Sequence, residues 1–322
     1  MTDHNETITI LGETIKLGES KELSFEVAKL HTSNSVDVPV FISRAKKPGP
    51  TVLLTAGIHG DEVNGVEIIR QVIAKGINIP KKGTIICIPV INVFGFINLS
   101  RDFPDGRDLN RVFPGTLKGS LASRVAYKLI HEIVQEVDFI MDFHTGGSGR
   151  FNAPQIRIIK EDKVLDDLSK KFGAPFIIYS KNINKSFRST CHKLGKPILL
   201  FEGGKSSHID TTITNHGVNG IKRVLHSLGM LSNNFKVSKP KTDCVFINES
   251  RWIRAKYSGM FKATIEINSM VKKGDVIGNI TDPYGKSNHF VKADNAGYII
   301  NVNELPIVYQ GDALFHISTE LL

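Results

Sequence analysis

Thr51-Val52-Leu53-Leu54-Thr55-Ala56-Gly57-Ile58-His59-Gly60-Asp61-Glu62 begins as a nearly continuous apolar run and ends in glycine, histidine and acid. An apolar run of that length reads as a strand buried on both faces, as in a parallel sheet. The residues after it change period. Val63, Val66, Ile69, Val72 and Ile73 recur at helical spacing through 61–75, so the stretch predicts strand, turn and helix in succession.

The alternation continues outward. Thr84 to Val90 is a second buried strand. Leu121, Val125, Leu129, Ile133 and Val137 lie four apart on one helical face and lead into a strand at Phe139 to Phe143. Ile198-Leu199-Leu200-Phe201 is another strand, and a helix is expected from an Asp210 N-cap to Leu228, stopped by Gly229. Strands alternating with helices imply an α/β fold, a mostly parallel mixed sheet covered by helices on both faces. In such sheets the functional residues gather beyond the carboxyl ends of the strands.

The flanks differ from this centre. Residues 1–45 alternate polar and apolar in short stretches and predict a β extension, with Pro39 favouring an edge position. A polar stretch around 232–241 marks a domain boundary, giving a catalytic domain over 1–235 and an all-β domain over 236–322. In the latter, Lys273-Gly274-Asp275, Asn295-Ala296-Gly297 and Gln310-Gly311-Asp312 are turns between short strands. Val271 to Ile277 and Val308 to Leu314 echo one another weakly.

Composition narrows the function classes. Among 322 residues, 41% are hydrophobic and 23% charged, ordinary for a globular protein. No apolar run is long enough to span a membrane, and residues 1–6 have neither the charge nor the apolar stretch of a signal peptide. Three scattered cysteines, Cys87, Cys191 and Cys244, form no CxxC pair and fit a reducing, cytoplasmic setting. The net charge of +9 is spread along the chain, with only short runs such as Lys46-Lys47, so no nucleic-acid partner is expected. The same charge suits an anionic substrate.

His59 and Glu62 follow one buried strand, and Met141-Asp142-Phe143-His144-Thr145-Gly146-Gly147 ends another. Two histidines and a glutamate at neighbouring strand ends can hold one zinc ion and leave a fourth position for water, the arrangement of a catalytic site. Asp142 is a candidate second partner for a ligand, and Asp61 a helix-start residue. His208 and His216 are candidates for the rim. The other histidines, His4 and His316 among them, read as surface or packing residues. Asn98 to Gly115 is a long loop rich in Pro, Gly and Asp, whose arginines suit an anionic substrate or a developing oxyanion. Glu202 ends the strand at 198–201 and can serve as general base and then acid.

Taken together, His59-Gly60-Asp61-Glu62, Asp108-Leu109-Asn110-Arg111-Val112-Phe113-Pro114-Gly115, Asp142-Phe143-His144-Thr145 and Phe201-Glu202-Gly203-Gly204 resemble the succinylglutamate desuccinylase/aspartoacylase family, within the zinc carboxypeptidase-like fold. The resemblance spans about residues 45 to 230. It implies one zinc ion on His59, Glu62 and His144, Glu202 as base and acid, and Asn110 with Arg111 as the clamp for a substrate carboxylate. Arg101 is similar in place to the arginine that polarises the scissile carbonyl, with Arg107 as its rival. The implied activity is hydrolysis of an N-acylated amino acid or a related small N-acyl amine. A carboxypeptidase acting on peptides and a non-catalytic metal-binding protein are the alternatives.

The C-terminal echo resembles the barrel-sandwich of lipoyl and biotinyl carrier domains, where Lys286 would be the modified residue; its flanks do not match an attachment motif. The domain is expected instead to cap the site or to form contacts in a homo-oligomer. Tyr284 and Tyr298 have no assigned part.

Overall fold

The apolar run forms the strand Thr51–Ala56, wholly buried, inside a twelve-stranded sheet of the computed structural model. The structure describes residues 7–240 and 242–322; the signal-peptide reading of 1–6, His4 within it, and Lys241 lie outside them. Thr51–Ala56 pairs in parallel with Thr84–Ile88 on one side and Phe139–Gly146 on the other. Phe139–Gly146 pairs in parallel with Ile198–Lys205. These four strands are the expected ones, and all their carboxyl ends point the same way.

Helices cover both faces. Val63–Ala74 and Thr211–Ser227 pack on one face through Ile68, Val72, Ile213 and Val224, while Leu121–Lys128 and Phe187–Lys193 pack on the other. Asp210 caps the Thr211–Ser227 helix by accepting from Ile213 N at 3.0 Å, and Gly229 follows it at φ 66°. The predicted long helix at 121–137 is continuous in path but not in hydrogen bonding. It passes from α-helix into a π-helical turn at Leu129–Ile133 and a 3₁₀ turn at Val134–Glu136.

The sheet as a whole departs from the mostly parallel expectation: antiparallel pairings outnumber parallel ones. Arg150–Ile158 is one reason. Only a short turn separates it from Phe139–Gly146, whereas parallel strands need a crossover of a dozen or more residues. It therefore runs back and pairs antiparallel with Ile198–Lys205. The N-terminal hairpin, Ser20–Lys29 with Ser35–Arg44, extends the other side. Ser35–Arg44 is not the edge strand that Pro39 suggested. Only its 41–44 end pairs with Thr84–Ile88, so Pro39 lies past that ladder and needs no second partner.

The C-terminal strands join the same sheet. Val245–Arg254 pairs in parallel with Phe176–Tyr179, and Gly297–Asn303 pairs antiparallel with Arg150–Ile158. A separate four-stranded sheet, Asn288–Lys292, Val276–Thr281, Gly259–Ala263 and Ile307–Val308, faces these strands. Phe261, Ile277, Ile280, Ile299, Phe315 and Ile317 fill the space between. Lys286 lies in the turn joining Val276–Thr281 to Asn288–Lys292. Among the described residues no helix is long and apolar enough to cross a membrane.

Candidate active site

Beyond Ala56 the chain leaves the sheet through Gly57 at φ 63°, a left-handed conformation that glycine adopts without strain. A Cβ there would also lie 3.0 Å from the Val90 Cα. Gly60 passes against the backbone at Gly95 and Phe96 so closely that any side chain would collide with it. Its N–H donates to Ser100 O at 3.0 Å. This tight turn presents His59, and Glu62 follows at the N-cap of the Val63–Ala74 helix.

His144 comes from the neighbouring strand. Alternation along Phe139–Gly146 places Asp142 and His144 on one face, and His144 Nε2 lies 2.9 Å from Asp142 Oδ2. Asp142 is itself fixed by Thr55 Oγ1, which donates to Oδ1 at 2.8 Å. The other ring nitrogen of His144, Nδ1, faces Glu62 Oε2 at 2.9 Å, and His59 Nδ1 faces Glu62 Oε1 at 2.6 Å. The Thr145 N–H also donates to Glu62 Oε2, at 3.0 Å. His59 Nε2 is backed by Asp108 Oδ1 at 3.2 Å.

Both imidazoles therefore turn Nδ1 inward to a shared carboxylate and Nε2 outward to an aspartate. The candidate ligand atoms of His59, Glu62 and His144 lie within 4.8 Å of one another, and all three residues are buried. Two imidazoles and a carboxylate, with each imidazole oriented by a second carboxylate, are a donor set that fits zinc. The charges agree with the geometry. Burial alone would raise the Glu62 carboxyl, but the adjacent His59 and His144 hold it well below the usual carboxylate range. Burial opposes a charge on His144, yet Asp142 and Glu62 together raise its proton affinity well above normal. His59 is raised against burial in the same way, by Glu62 and Asp108.

These residues form one end of a cavity of about 400 Å³. Arg101 reaches it, with Nη1 3.2 Å from His59 Nδ1 and 3.5 Å from Glu62 Oε1, held by Asp108 through Nε at 3.1 Å and Nη2 at 2.8 Å. Arg107 does not. It is exposed and paired with Asp105 at 3.2 Å, away from this cavity. Asn110 and Arg111 both line the cavity. Asn110 Oδ1 accepts from Phe187 N at 2.8 Å, which leaves its Nδ2 donor for a ligand.

Glu202 is the register partner of His144 on the adjacent parallel strand, so both side chains emerge on the same face. Its Oε2 accepts from Asn152 Nδ2 at 2.7 Å, and Oε1 lies 3.3 Å from Arg157 Nε. Arg188, which sequence reasoning missed, also lines the cavity. It is held by Ser180 Oγ at 3.0 Å and Lys181 O at 2.8 Å, and burial beside Arg157 lowers it to about 10.

The C-terminal segment supplies the far wall. Trp252 and Asn301 line the cavity there, whereas Tyr284 is exposed and Tyr298 packs on Phe176. Arg150 sits over the Trp252 ring at 5.7 Å. His316 is a packing residue, as expected. It stacks on Trp252 at 4.5 Å, and burial beside Arg157 pushes it down to about 3, so it is neutral. His208 and His216 do not line the cavity. Cys87 and Cys191 are buried in the core.

Residues 48–228 match the family model described as the succinylglutamate desuccinylase/aspartoacylase catalytic domain. The chain is 27% identical over 264 residues to an N-alpha-acetyl-L-2,4-diaminobutyric acid deacetylase of Halomonas elongata, covering 77% of this chain and 75% of the relative. It shares its fold with the product-bound ectoine utilization protein EutE from Ruegeria pomeroyi, at TM-score 0.82, 22% identity and coverage of 99% and 100%. A succinylglutamate desuccinylase/aspartoacylase of Rhodobacter sphaeroides gives TM-score 0.80 at 23% identity, with coverage of 95% and 98%.

Proposed function

The chain belongs to the succinylglutamate desuccinylase/aspartoacylase family, and from that premise we propose that it is a zinc-dependent hydrolase of N-acylated amino acids. The observation that carries the reading is the convergence of His59 Nδ1 and His144 Nδ1 on the Glu62 carboxylate, with Glu202 one strand away. His59, Glu62 and His144 would hold the zinc. Bound there, zinc lowers the pKa of water to about 7 and acts as a Lewis acid toward a carbonyl oxygen.

The remaining steps belong to side chains of this chain. Glu202 takes the proton of the attacking water and returns it to the leaving nitrogen, so that a carboxylic acid and a free amine result. Arg101, pinned by Asp108, directs its Nη1 into the site, where negative charge develops on the former carbonyl oxygen. Asn110 and Arg111 bind a substrate carboxylate, the guanidinium by its planar fork.

Charge supports a small anionic substrate. Arg101, Arg111, Arg150, Arg157, Arg188 and Lys181 line the cavity, against Glu62 and Glu202. N-acetyl amino acids are our first candidates, a choice supported by the likeness to the deacetylase relative. The test is amine release from a panel of N-acetyl amino acids, N-succinyl amino acids and dipeptides. Chelator-stripped protein should lose turnover on the N-acyl substrates and regain it with added Zn²⁺. Full turnover in stripped protein overturns the metal reading, and cleavage of dipeptides alone moves the reading to a carboxypeptidase.

A further inference from the structure

Two side-chain amides connect Glu202 to the C-terminal segment. Asn152 Nδ2 donates to Glu202 Oε2 at 2.7 Å, and Asn301 Nδ2 donates to Asn152 Oδ1 at 2.6 Å. The asparagines are register partners on the antiparallel pair Arg150–Ile158 and Gly297–Asn303, so their side chains stand side by side on one face. Both are almost wholly buried, at 3% and 2% exposure.

A carboxylate only accepts hydrogen bonds, whereas an asparagine can turn either its oxygen or its nitrogen to a neighbour. Facing the acceptor-only carboxylate of Glu202, Asn152 turns its NH₂ group toward it, and Asn301 supplies the donor that the opposite oxygen of Asn152 then needs. Flipping Asn152 alone would set oxygen against oxygen at Glu202 and nitrogen against nitrogen at Asn301, so the second hydrogen bond adds to the cost of leaving the orientation that serves Glu202. Asn301 bears a cost for this, since its own Oδ1 is buried with no partner. An apolar pair would fill the same space without that cost. Packing alone does not account for two amides here.

We propose that Asn152 is a positioning residue for Glu202, held in place from behind by Asn301, so that the C-terminal segment aims the general base through two consecutive hydrogen bonds. The inference rests on Glu202 being that base. Proton transfer needs the carboxylate within hydrogen-bond reach of the water, and a misplacement of about 1 Å can cost on the order of 100-fold in rate.

The experiment is a kinetic cycle on the zinc-loaded enzyme with Asn152→Ala, Asn152→Asp, Asn301→Ala, Glu202→Ala and the Asn152→Ala/Glu202→Ala pair. Asn152→Ala and the isosteric Asn152→Asp should lower kcat about 10- to 100-fold, with KM and zinc content within about two-fold of wild type. Asn301→Ala should act in the same direction by roughly 3- to 10-fold. Once Glu202 is alanine, removing Asn152 should change the residual rate by less than about two-fold, because coupled residues are not additive. A merely structural asparagine would lower both backgrounds alike, and that result overturns the proposal. So does wild-type kcat in Asn152→Asp. If Asn152→Ala does not fold, Asn152→Asp and Asn301→Ala decide the question. If Glu202→Ala hydrolyses like wild type, the reading of the base fails and the relay falls with it.

Discussion

The two ends of the cavity are built on different principles. At the ligand corner several contacts are short in sequence, His59 with Glu62, Asp142 with His144 and Arg101 with Asp108, and the loop that carries Arg101 and Asp108 closes onto His59. At the far wall the contacts join strands remote in the chain. Asn152 meets Asn301 across 149 residues, and Trp252 stacks on His316 from the paired strand. The corner is fixed by the geometry of strand ends and carries the proposed chemistry. The far wall is fixed by sheet register and divides: its asparagine pair leads back to Glu202, whereas the Trp252 ring, packed on His316 and Arg150, is left to meet a part of the substrate away from the amide. Substitutions at the corner and at the asparagine pair should therefore lower turnover, while substitution of Trp252 should change binding.

The largest effect is expected at the corner. Glu62→Gln keeps the shape but removes the charge that both imidazoles face, so it should weaken zinc binding by more than the roughly 100-fold limit typical of outer partners. Turnover should fall to background, read by metal analysis of purified protein alongside amine release. Zinc retained at wild-type affinity would mean that the metal site is elsewhere and dissolve the contrast. The aspartates behind the histidines come next, at about 10- to 100-fold in zinc affinity or activity. Asp142→Asn should lie at the upper end, because Asp142 is sealed at 1% exposure and gripped by Thr55. Asp108→Asn should lie lower, since Asp108 is only half-buried. Equal effects from the two would show that burial does not set the strength of the corner.

The same division explains what could be read from sequence. The four parallel strands and their helices were legible because each carries its own period. His59, Glu62, His144 and Glu202 were legible because each lies toward the carboxyl end of such a strand or in the turn just after it. Arg150–Ile158 does not read as a strand: Arg150, Asn152, Gln155 and Arg157 interrupt its apolar pattern, and three of them, Arg150, Asn152 and Arg157, line the polar cavity. Missing that strand hid its reversal, and with it the antiparallel half of the sheet. Asn301 and Trp252 carried no local signal, since what makes them part of the cavity is pairing with strands far away. Arg188 sits second in a short helix whose start is fixed by the Ser186 cap and by Asn110 through Phe187 N, and it is held by Ser180 and Lys181, contacts that carry no local sequence signal. Asp108 stood in view within the DLNR motif, and its spacing from Arg101 was the available clue.

Trp252→Ala is the smallest and most discriminating of the substitutions. The indole contributes cavity surface on the far wall, supports the Arg150 guanidinium at 5.7 Å and is backed by the His316 ring. None of these contacts reaches His59, Glu62 or His144. Removing the ring should free Arg150 and lose apolar contact with a substrate group distant from the scissile bond, an interaction made equally in the ground and transition states. Such a loss raises KM and leaves kcat in place. The expected change is about 3- to 10-fold in KM, with kcat and zinc content within about two-fold. It should also alter the ranking of N-acyl substrates, because acyl or side-chain groups that reach the wall lose more than those that stop short. A fall in kcat with KM unchanged would instead join Trp252 to the chemistry, as the asparagine pair beside it is joined through Glu202, and its assignment to binding would not stand.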